Sequence, residues 1–363
     1  MNTLLFYGEL LPKTIHGISI SNYINLNILR ESFETIVVEI DSSKDNISVY
    51  SKLRYSIFEL FKVRNSIKNK SVNFFYASLP TSTLGVLRLL AVLLIVKKES
   101  GVKVRSLLHI HRGDFNNKYA NSFIFRCVIK AFISLGCEFI LLAIKQKKEI
   151  NEILNVKCHV LENAIIEAGE EQEKRKFNNE NINILYLSNY IKAKGIIDLL
   201  SSFSDYESIG NKKITLNCYG SFLDENIKKT VKKFDKYISI NINCEVSNKD
   251  KNIAINNCDF MILPSKNEGQ PLTIIEALSF GKPIFCTNVG YVSEMFPPNY
   301  PFVFDKLDIS NLSKAFIIMQ EMDSVEYNNI SFLLKEKYNK SFSLMAHREK
   351  LMTIFYGNIL RKL

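Results

Sequence analysis

Two carboxylates, Glu268 and Glu276, lie on either side of a predicted helix start within the stretch from Asp259 to Glu294. Free N–H groups at the start of a helix that follows a parallel strand bind anions, whereas a carboxylate there repels phosphate. We therefore expect both carboxylates to accept hydrogen bonds from hydroxyls, as sugars and riboses offer. Such a combination is typical of a sugar-nucleotide site. The alternative is that both are solvated acids stabilised by the helix dipole.

The residues around these carboxylates predict a strand, a polar loop and a helix. Phe260 to Leu263 is a short apolar run stopped by Pro264, as expected for a strand buried on both faces of a parallel sheet. Pro271 suits the first turn of a helix, and Gly281 is typical of a helix end. The next strand begins at Ile284. The polar loop therefore lies beyond the carboxyl end of a strand, where open α/β sheets bind ligands.

The same stretch resembles the signature of retaining nucleotide-sugar glycosyltransferases of family 4, whose GT-B fold has two facing Rossmann-like domains. The resemblance implies an α/β protein in which each domain is a mostly parallel sheet covered by helices. It also implies that the last helix crosses back to the first domain. The residues that carry the resemblance are Pro264, Ser265, Glu268, Gly269, Pro271, Glu276, Ala277, Gly281, Pro283, Gly290 and Glu294.

The resemblance also implies a role for each site residue. Donor phosphates would bind Lys194 and the loop amides, the ribose would bind Glu276, and sugar hydroxyls would bind Glu268. The predicted catalytic residues are His111, Glu268 and Lys194. The predicted donor-binding residues are Gly17, Asn189, Lys194, Gly269, Gln270, Pro271, Leu272 and Glu276.

Two of these residues lie in the first half of the chain. His111 and Gly113 follow a predicted strand and are similar to the family's His-Gly pair, whose histidine lies near the reacting sugar. Gly17 matches the second glycine of a family loop that faces the donor phosphates, and His16 replaces the first. By residue type alone, a lone histidine such as His111 is more often structural than catalytic. The alternative for Gly17 is a plain strand-to-helix loop.

Asn189 is a departure from the family pattern. Relatives carry an arginine just after the first strand of the second domain and a lysine before a glycine, and both hold the donor pyrophosphate. Lys194 and Gly195 fit this pattern, but Asn189 stands at the arginine position. Because a lost charge-assisted hydrogen bond costs about 1.5–3 kcal/mol, weaker diphosphate binding is expected. Lys192 or Arg112 could compensate.

Length and composition predict two α/β domains in a chain of 363 residues with 47% hydrophobic content. The expected boundaries are 1–166 for the first domain, 167–181 for a polar linker and 182–343 for the donor domain, with helix 344–363 on the first. Seven cysteines without a CxxC spacing predict reduced core thiols. The sequence contains no DxD motif, so no metal or cofactor is expected beyond the donor, for which a UDP-sugar is favoured.

The first domain is expected to carry most of the positive charge. Residues 1–165 hold 22 basic and 13 acidic residues, whereas the rest holds 25 and 24. Two predicted helices, Tyr50 to Lys70 and Asn117 to Leu135, combine aromatic with basic residues. They indicate either docking on an anionic membrane or ordinary surface helices on the sheet.

The first-domain strands are predicted at Leu4 to Tyr7, Ile36 to Ile40, Val72 to Tyr76, Val104 to Ile110, Glu138 to Ile144 and His159 to Ile166, with a helix at Ser21 to Arg30.

No membrane span is predicted. The longest apolar run, Leu84 to Val96, is interrupted by Arg88 and is shorter than the roughly 20 residues that a spanning helix needs. The first ten residues lack the features of a signal peptide and predict a buried strand. The expected location is the cytoplasm or the inner face of the cytoplasmic membrane.

The resulting prediction is a retaining glycosyltransferase of bacterial surface polysaccharide synthesis. Its partners would be a nucleotide-sugar and a lipid-linked or oligosaccharide acceptor, with no nucleic acid. One alternative keeps the fold but gives a non-transferring, epimerase-like enzyme, which needs acid and base groups beyond those seen. The other is a basic nucleic-acid-binding protein, for which the sequence has no recognition motif.

Overall fold

A computed structural model describes residues 2–41, 49–166, 177–178, 180–208, 214–246, 248–306 and 309–357 of the chain. The chain divides into unit 1, made of Met1–Ile165 and Leu344–Leu363, and unit 2, made of Ile166–Ser343. Most of the predicted linker 167–181 lies outside the described residues. Each unit contains a parallel six-stranded sheet with helices, which confirms the predicted fold class.

Unit 1 has the strand order β2-β1-β3-β4-β5-β6. In this order the chain leaves β1 toward β2 on one side and then returns to β3 on the other, so the sheet has a topological switch point between β1 and β3. Its elements are β1 (Thr3–Gly8), α1 (Gly17–Arg30), β2 (Glu34–Glu39), α2 (Val49–Ile67), β3 (Val72–Ser78), α3 (Thr83–Glu99), β4 (Arg105–Ile110), α4 (Phe115–Asn121), α5 (Phe123–Ser134), β5 (Glu138–Leu141), α6 (Ile144–Ile153) and β6 (Cys158–Val160).

Strand β1 shows why this sheet is covered on both faces. All six of its residues are buried. Leu5 and Tyr7 belong to a core with α2, α3 and α5, whereas Leu4 and Phe6 belong to a second core with α1 and the last helix of the chain. Since successive strand residues point to opposite faces, an apolar run without alternation requires helices on both sides.

Unit 2 has the strand order β12-β11-β10-β7-β8-β9. Its switch point lies between β10 and β7, which pair in parallel through Phe260 with Ile184 and Met261 with Leu185. The elements of unit 2 are β7 (Ile182–Leu187), α7 (Ile196–Ser208), β8 (Ile214–Tyr219), α8 (Glu225–Val231), β9 (Ile240–Asn243), α9 (Asn248–Asn257), β10 (Phe260–Leu263), α10 (Leu272–Phe280), β11 (Ile284–Thr287), β12 (Val303–Phe304), α11 (Ile309–Glu321) and α12 (Ser324–Ser341).

The last helix, α13 (Leu344–Tyr356), belongs to unit 1. Leu351 is fully buried in the core that α13 shares with α1. Arg105 on β4 donates a hydrogen bond of 2.8 Å to the carbonyl of Phe355, and the ring of Phe33 stacks on Tyr356 at 5.3 Å. The helix therefore completes one face of the unit 1 sheet.

Four predicted elements, two helices and two strands, have different bounds in the structure for local reasons. Helix α1 begins at Gly17 rather than Ser21, because His16 caps it: His16 Nδ1 accepts from the Ser19 amide and Ser19 Oγ accepts from the His16 amide. The helix predicted at 117–135 is two helices, because Ser122 lies extended between α4 and α5 and caps α5. The strands at 138–144 and 159–166 are shorter than predicted, since α6 already begins at Ile144 and β6 ends at Val160.

The structure also shows the environments of the cysteines and of the longest apolar run. Five cysteines are buried as free thiols, but Cys127 and Cys244 are exposed, so the prediction of core thiols is wrong for these two. Within the described ranges, no helix combines the length and apolarity required to cross a membrane. The apolar run from Leu84 forms α3, which packs between α2 and α5.

Candidate active site

Lys194 and Glu268 form an ion pair beyond the carboxyl ends of two adjacent strands of unit 2. Lys194 ends a short 3-10 turn after β7, and Glu268 lies in the loop after β10. The distance from Lys194 Nζ to Glu268 Oε1 is 2.5 Å, and the two side chains are 25% and 9% exposed. The structure thus brings together an ammonium group and a carboxylate that the sequence separates by 74 positions.

A glycine contact holds the loop of Lys194 against the loop of Glu268. Gly195 has a φ of +72°, and a Cβ atom there would lie 2.1 Å from the carbonyl oxygen of Pro264. The Lys266 amide also donates a hydrogen bond of 2.8 Å to the Ala193 carbonyl. Only glycine allows this approach, because any side chain at position 195 would overlap backbone.

A second glycine holds Glu268 from the other side. At Gly290, which has a φ of +58°, a Cβ atom would lie 1.9 Å from the carbonyl oxygen of Glu268. The amide of Tyr291 donates to the Gly269 carbonyl at 3.2 Å, and Thr287 Oγ1 donates to the Ser265 carbonyl at 2.5 Å. The loop after β10 is therefore fixed by backbone contacts with both neighbouring loops.

Helix α10 starts directly after this loop. Pro271 is its N-cap residue and forms no side-chain cap, so no cap side chain accepts a hydrogen bond from the first-turn amides. Thr273 Oγ1 donates to the Leu187 carbonyl at 3.2 Å, which joins the helix start to the end of β7. Gln270 is buried, whereas Gly269 and Leu272 are half-buried. The helix start thus lies in the same group of loops as Lys194 and Glu268, and it favours negative charge.

Glu276, in the second turn of α10, is held by a lysine that the sequence did not single out. Lys251 Nζ on α9 lies 2.7 Å from Glu276 Oε1, and the two side chains are 25% and 14% exposed. Burial raises the pKa of Glu276 and the charge of Lys251 opposes that shift. Lys251 lies in a polar run with Lys249 and Asp250, and nothing in the sequence pattern distinguishes it from these neighbours.

Asn189 makes no comparable contact with the described residues. It is exposed, and its carbonyl accepts a hydrogen bond of 3.3 Å from Tyr186 Oη. Of the two residues expected to compensate for the missing arginine, Lys192 is exposed on the same loop. Arg112, in unit 1, is bound by Asp114 through contacts of 2.8 and 2.9 Å. Asn189 therefore supplies a polar but uncharged group at the carboxyl end of β7.

In unit 1, His111 follows β4 directly. Its ring lies against that of His109 at a tilt of 34°, with the ring centroids 3.8 Å apart. Burial lowers the pKa of His111 to about 3, and the nearby His16 and His347 contribute to the shift. Both ring nitrogens are buried and have no hydrogen-bond partner within the described part of the chain. His111 is thus a neutral imidazole at pH 7, suited to hydrogen bonding with a neutral group.

Gly17, the first residue of α1, is exposed. A Cβ atom at this position would meet none of the described atoms within 4 Å, so Gly17 makes no close backbone contact with this part of the chain. His16, which caps the helix, also pairs with Glu9 at 2.7 Å. Gly17 and His111 both follow strands whose carboxyl ends lie at the same edge of the unit 1 sheet.

A buried chain of hydrogen bonds supports the histidines of unit 1. His347 Nδ1 lies 2.7 Å from the Glu162 carbonyl, and its Nε2 lies 2.6 Å from the amide of Asn25. Asn25 contacts Tyr76 Oη at 2.8 Å, which in turn contacts His109 Nδ1 at 2.7 Å. Burial lowers the pKa of His347 to about 4, so a neutral ring donates from Nδ1 and accepts at Nε2. In this assignment the nitrogen of the Asn25 side-chain amide faces His347 and its oxygen faces Tyr76 Oη. The two orientations of a side-chain amide have the same shape and differ only in which end donates.

The predicted site residues therefore fall into two groups. Unit 2 brings together Lys194, Glu268 and the start of α10, with Glu276 in the next turn, while unit 1 contains Gly17 and His111. Among the described residues, no cluster of three or more His, Cys, Asp or Glu side chains could hold a metal ion. Sequence reasoning missed Lys251 and the chain from Asn25 to His347, whose members are dispersed along the sequence.

Comparison with known proteins relates part of the chain to glycosyltransferases by sequence and the whole chain to solved structures by fold. Residues 167–330 match the sequence model of the family described as glycosyl transferases group 1. A stretch of 38 residues is 50% identical to the predicted teichuronic acid biosynthesis glycosyltransferase TuaC of Bacillus subtilis (strain 168). That stretch covers 10% of this chain and 10% of TuaC.

Solved structures share the fold at low sequence identity. Anabaena Alr3699/HepE, solved in complex with UDP-glucose, is 12% identical with a TM-score of 0.71 over 99% of this chain and 100% of that chain. TarM of S. aureus, solved with UDP and α-GlcNAc-glycerol, is 13% identical with a TM-score of 0.63, over 82% of this chain and 59% of that chain. Residues 167–330 are therefore similar to the glycosyl transferases group 1, and the chain as a whole shares the two-domain GT-B fold.

Proposed function

We propose that this protein is a retaining glycosyltransferase that moves a sugar from a UDP-sugar to a lipid-linked or oligosaccharide acceptor. The observation that carries the proposal is the Lys194–Glu268 pair of 2.5 Å beside the start of α10. A cation and a helix start favour phosphate, and carboxylates bind sugar hydroxyls. The relation to TuaC supports a place in bacterial surface polysaccharide synthesis.

In the proposed reaction, the donor lies on the loops of unit 2. Lys194 and the backbone N–H groups of Gly269, Gln270 and Leu272 bind the diphosphate, Glu276 binds the ribose and Glu268 binds hydroxyls of the transferred sugar. The bond from the anomeric carbon to the phosphate oxygen breaks, and the acceptor oxygen bonds to that carbon on the same face. The acceptor proton leaves with the diphosphate. Lys194 and the helix dipole stabilise the charge that develops on the leaving group.

Glu276 is expected to contribute to donor binding. In a thermal-shift panel of UDP-, GDP- and ADP-sugars, a UDP-sugar should raise Tm most, since a ligand at 100 times its Kd stabilises by about 2.7 kcal/mol. Glu276→Ala and Glu276→Gln should lose most of this rise, and the matched control Glu225→Ala, on the exposed helix α8, should keep it. Each variant is compared with its own ligand-free Tm, because both Glu276 changes leave Lys251 without its partner.

Other outcomes of that panel contradict the proposal. A rise in Tm with DNA and with no nucleotide-sugar would favour a nucleic-acid-binding protein. Conversion of the nucleotide-sugar to its epimer without an acceptor would favour the epimerase-like alternative. The retaining stereochemistry is tested separately, by NMR of the anomeric proton in the product and in the donor.

We further propose that unit 1 docks on an anionic membrane surface through three adjacent helices. Helices α2, α3 and α5 pack side by side and carry exposed apolar residues on their outer sides, among them Phe58 at 66% and Phe123 at 74% exposure. Exposed basic residues, including Arg54 and Lys62 on α2, lie on the same helices. Apolar side chains among cations are suited to the interface of an anionic bilayer.

Membrane docking predicts binding to vesicles in flotation assays. The protein should float with phosphatidylglycerol vesicles at low salt and not with phosphatidylcholine vesicles, because each basic residue near an anionic surface contributes about 1 kcal/mol. The double change Phe58→Ser with Phe61→Ser should reduce the bound fraction several-fold. The control, Phe332→Ser with Leu333→Ser, removes exposed apolar residues of α12 in unit 2 and should have no effect. Equal losses in both double variants would contradict a surface on unit 1.

A further inference from the structure

Unit 1 contains a cavity of about 430 Å³ at the carboxyl edge of its sheet. Gly8 at the end of β1 and Ser78 at the end of β3 both line it, so it lies at the topological switch point of the sheet. Open α/β sheets bind ligands at this position, in sites of about 300–1,000 Å³. No residue predicted from the sequence to bind the donor lines this cavity.

The wall of the cavity contains a cluster of four polar side chains. Glu59, which is 2% exposed, accepts hydrogen bonds from Tyr7 Oη at 3.0 Å and from Tyr55 Oη at 2.7 Å. Arg88 Nε lies 3.4 Å from Glu59 Oε2, and its guanidinium carbon lies 5.8 Å from the centre of the Tyr55 ring. Tyr7, Tyr55 and Arg88 line the cavity, and Glu59 lies behind them.

Arg88 retains hydrogen-bonding capacity in this cluster. Its side chain is 16% exposed, and its guanidinium forms no hydrogen bond with the described residues, only the ion pair at Nε. Glu59 is already bound by two tyrosine hydroxyls. A guanidinium has five N–H donors, and leaving buried donors without acceptors is costly. An anion in the cavity would therefore accept strong, paired hydrogen bonds from Arg88.

The other residues of the wall suit a hydroxyl-bearing ligand. Ser56, Ser78 and Thr83 add hydroxyl groups, and Ile18 and Leu79 add apolar surface. Glu9 is a second carboxylate at the cavity, and its Oε2 is 2.7 Å from His16 Nε2. Leu84 lines the cavity and is 41% exposed on α3, one of the helices of the proposed membrane surface. The cavity therefore combines a cation, hydroxyls and a nearby apolar surface, while its two carboxylates, Glu59 and Glu9, are engaged by tyrosine hydroxyls and by His16.

We propose that this cavity binds a sugar carrying one anionic group, a phosphate or a carboxylate, which pairs with Arg88. The sugar's hydroxyls contact Tyr7, Tyr55 and the serines of the wall. The inference rests on the proposed function in one respect: it makes this sugar the acceptor of the transfer. The anion belongs either to a soluble acidic or phosphorylated sugar or to the phosphate of a lipid-linked acceptor.

The test is isothermal titration of the full chain with glucuronic acid, glucose 1-phosphate and glucose. At least one anionic sugar should bind ten times more tightly than glucose. Arg88→Gln should weaken its binding at least tenfold, and Arg88→Lys should weaken it less. The control is Arg64→Gln, on α2, where Arg64 pairs with Glu99 at 3.0 Å at the surface. Since Arg88→Gln leaves Glu59 without its cation, the double variant Arg88→Gln with Glu59→Gln repeats the measurement without that charge.

A second arm uses phosphatidylcholine vesicles that carry polyprenyl phosphate. Binding that is lost in Arg88→Gln, together with no binding of the soluble sugars, identifies the lipid phosphate as the source of the anion. The inference is overturned if glucose and the anionic ligands bind equally, or if Arg88→Gln behaves as Arg64→Gln does in both arms. Titration of the same samples with UDP separates the two proposals. Binding of an anionic ligand without UDP binding contradicts the proposed function alone. Binding of UDP with neither the anionic sugars nor the polyprenyl phosphate contradicts this inference alone.

Discussion

Lys194→Met is expected to reduce kcat for sugar transfer by about 100- to 1,000-fold, the loss typical of removing one group that stabilises charge in a transition state. Lys194 lies 2.5 Å from Glu268 and beside the start of α10, where charge on the departing diphosphate would develop. Initial rates at saturating donor and acceptor measure kcat, and the donor dependence gives KM. A fall mainly in kcat indicates an interaction made in the transition state.

Two variants distinguish this role from a structural one. Lys266→Met removes another lysine of the same group of loops, which pairs with Asp198 at 2.7 Å on the surface, and should change kcat less than threefold. The double change Lys194→Met with Glu268→Gln removes both charges of the pair. It should recover any stability lost in the single variant without recovering activity. A Lys194→Met protein that keeps a third or more of its kcat would contradict the assignment.

Gly195→Ala is expected to lower both Tm and donor binding. Its φ of +72° already costs an L-residue about 1–2 kcal/mol, and the added Cβ would lie 2.1 Å from the Pro264 carbonyl. Relief of the overlap requires a backbone shift, for which overpacking costs of about 1–3 kcal/mol are typical. Because this contact holds the loop of Lys194 against that of Glu268, the shift should also separate the ion pair. Calorimetry and donor titration measure the two effects.

Gly136→Ala is the matched control for that change. Gly136 has a φ of +74°, and a Cβ atom there would meet none of the described atoms within 4 Å. The Gly136→Ala variant should therefore lose only the stability that the backbone conformation costs, and its donor binding should be unchanged. If the two variants lost the same stability and kept the same donor affinity, the contact with Pro264 would not position the site.

The segment from β10 to β11 could be predicted closely from the sequence. Phe260 to Leu263 is fully buried as expected, and α10 ends at Gly281 with a φ of +66°. Here the signals are local: an apolar run, a proline and a glycine each restrict the backbone directly. The helix starts one residue after Pro271, which serves as its N-cap.

The contacts that complete the site could not be predicted in the same way. Lys194 pairs with Glu268 and Lys251 pairs with Glu276 because adjacent strands and helices bring them together, not because of sequence spacing. Arg88 read from the sequence as an interruption of an apolar run, and its meaning depends on Glu59 in another helix. Helix α1 starts early because a histidine acts as its cap, a role more typical of Ser, Thr, Asp and Asn.

The position of α13 has a consequence for the order in which the protein folds during synthesis. The strands of unit 1 are complete at Val160, yet Leu351 and Phe355, which cover one face of its sheet, follow the whole of unit 2 in the chain. His347, the buried partner of Asn25, arrives equally late. A nascent chain therefore exposes the part of this face that α1 does not cover while unit 2 is being made. Synthesis of the last helix is the step that closes the first unit.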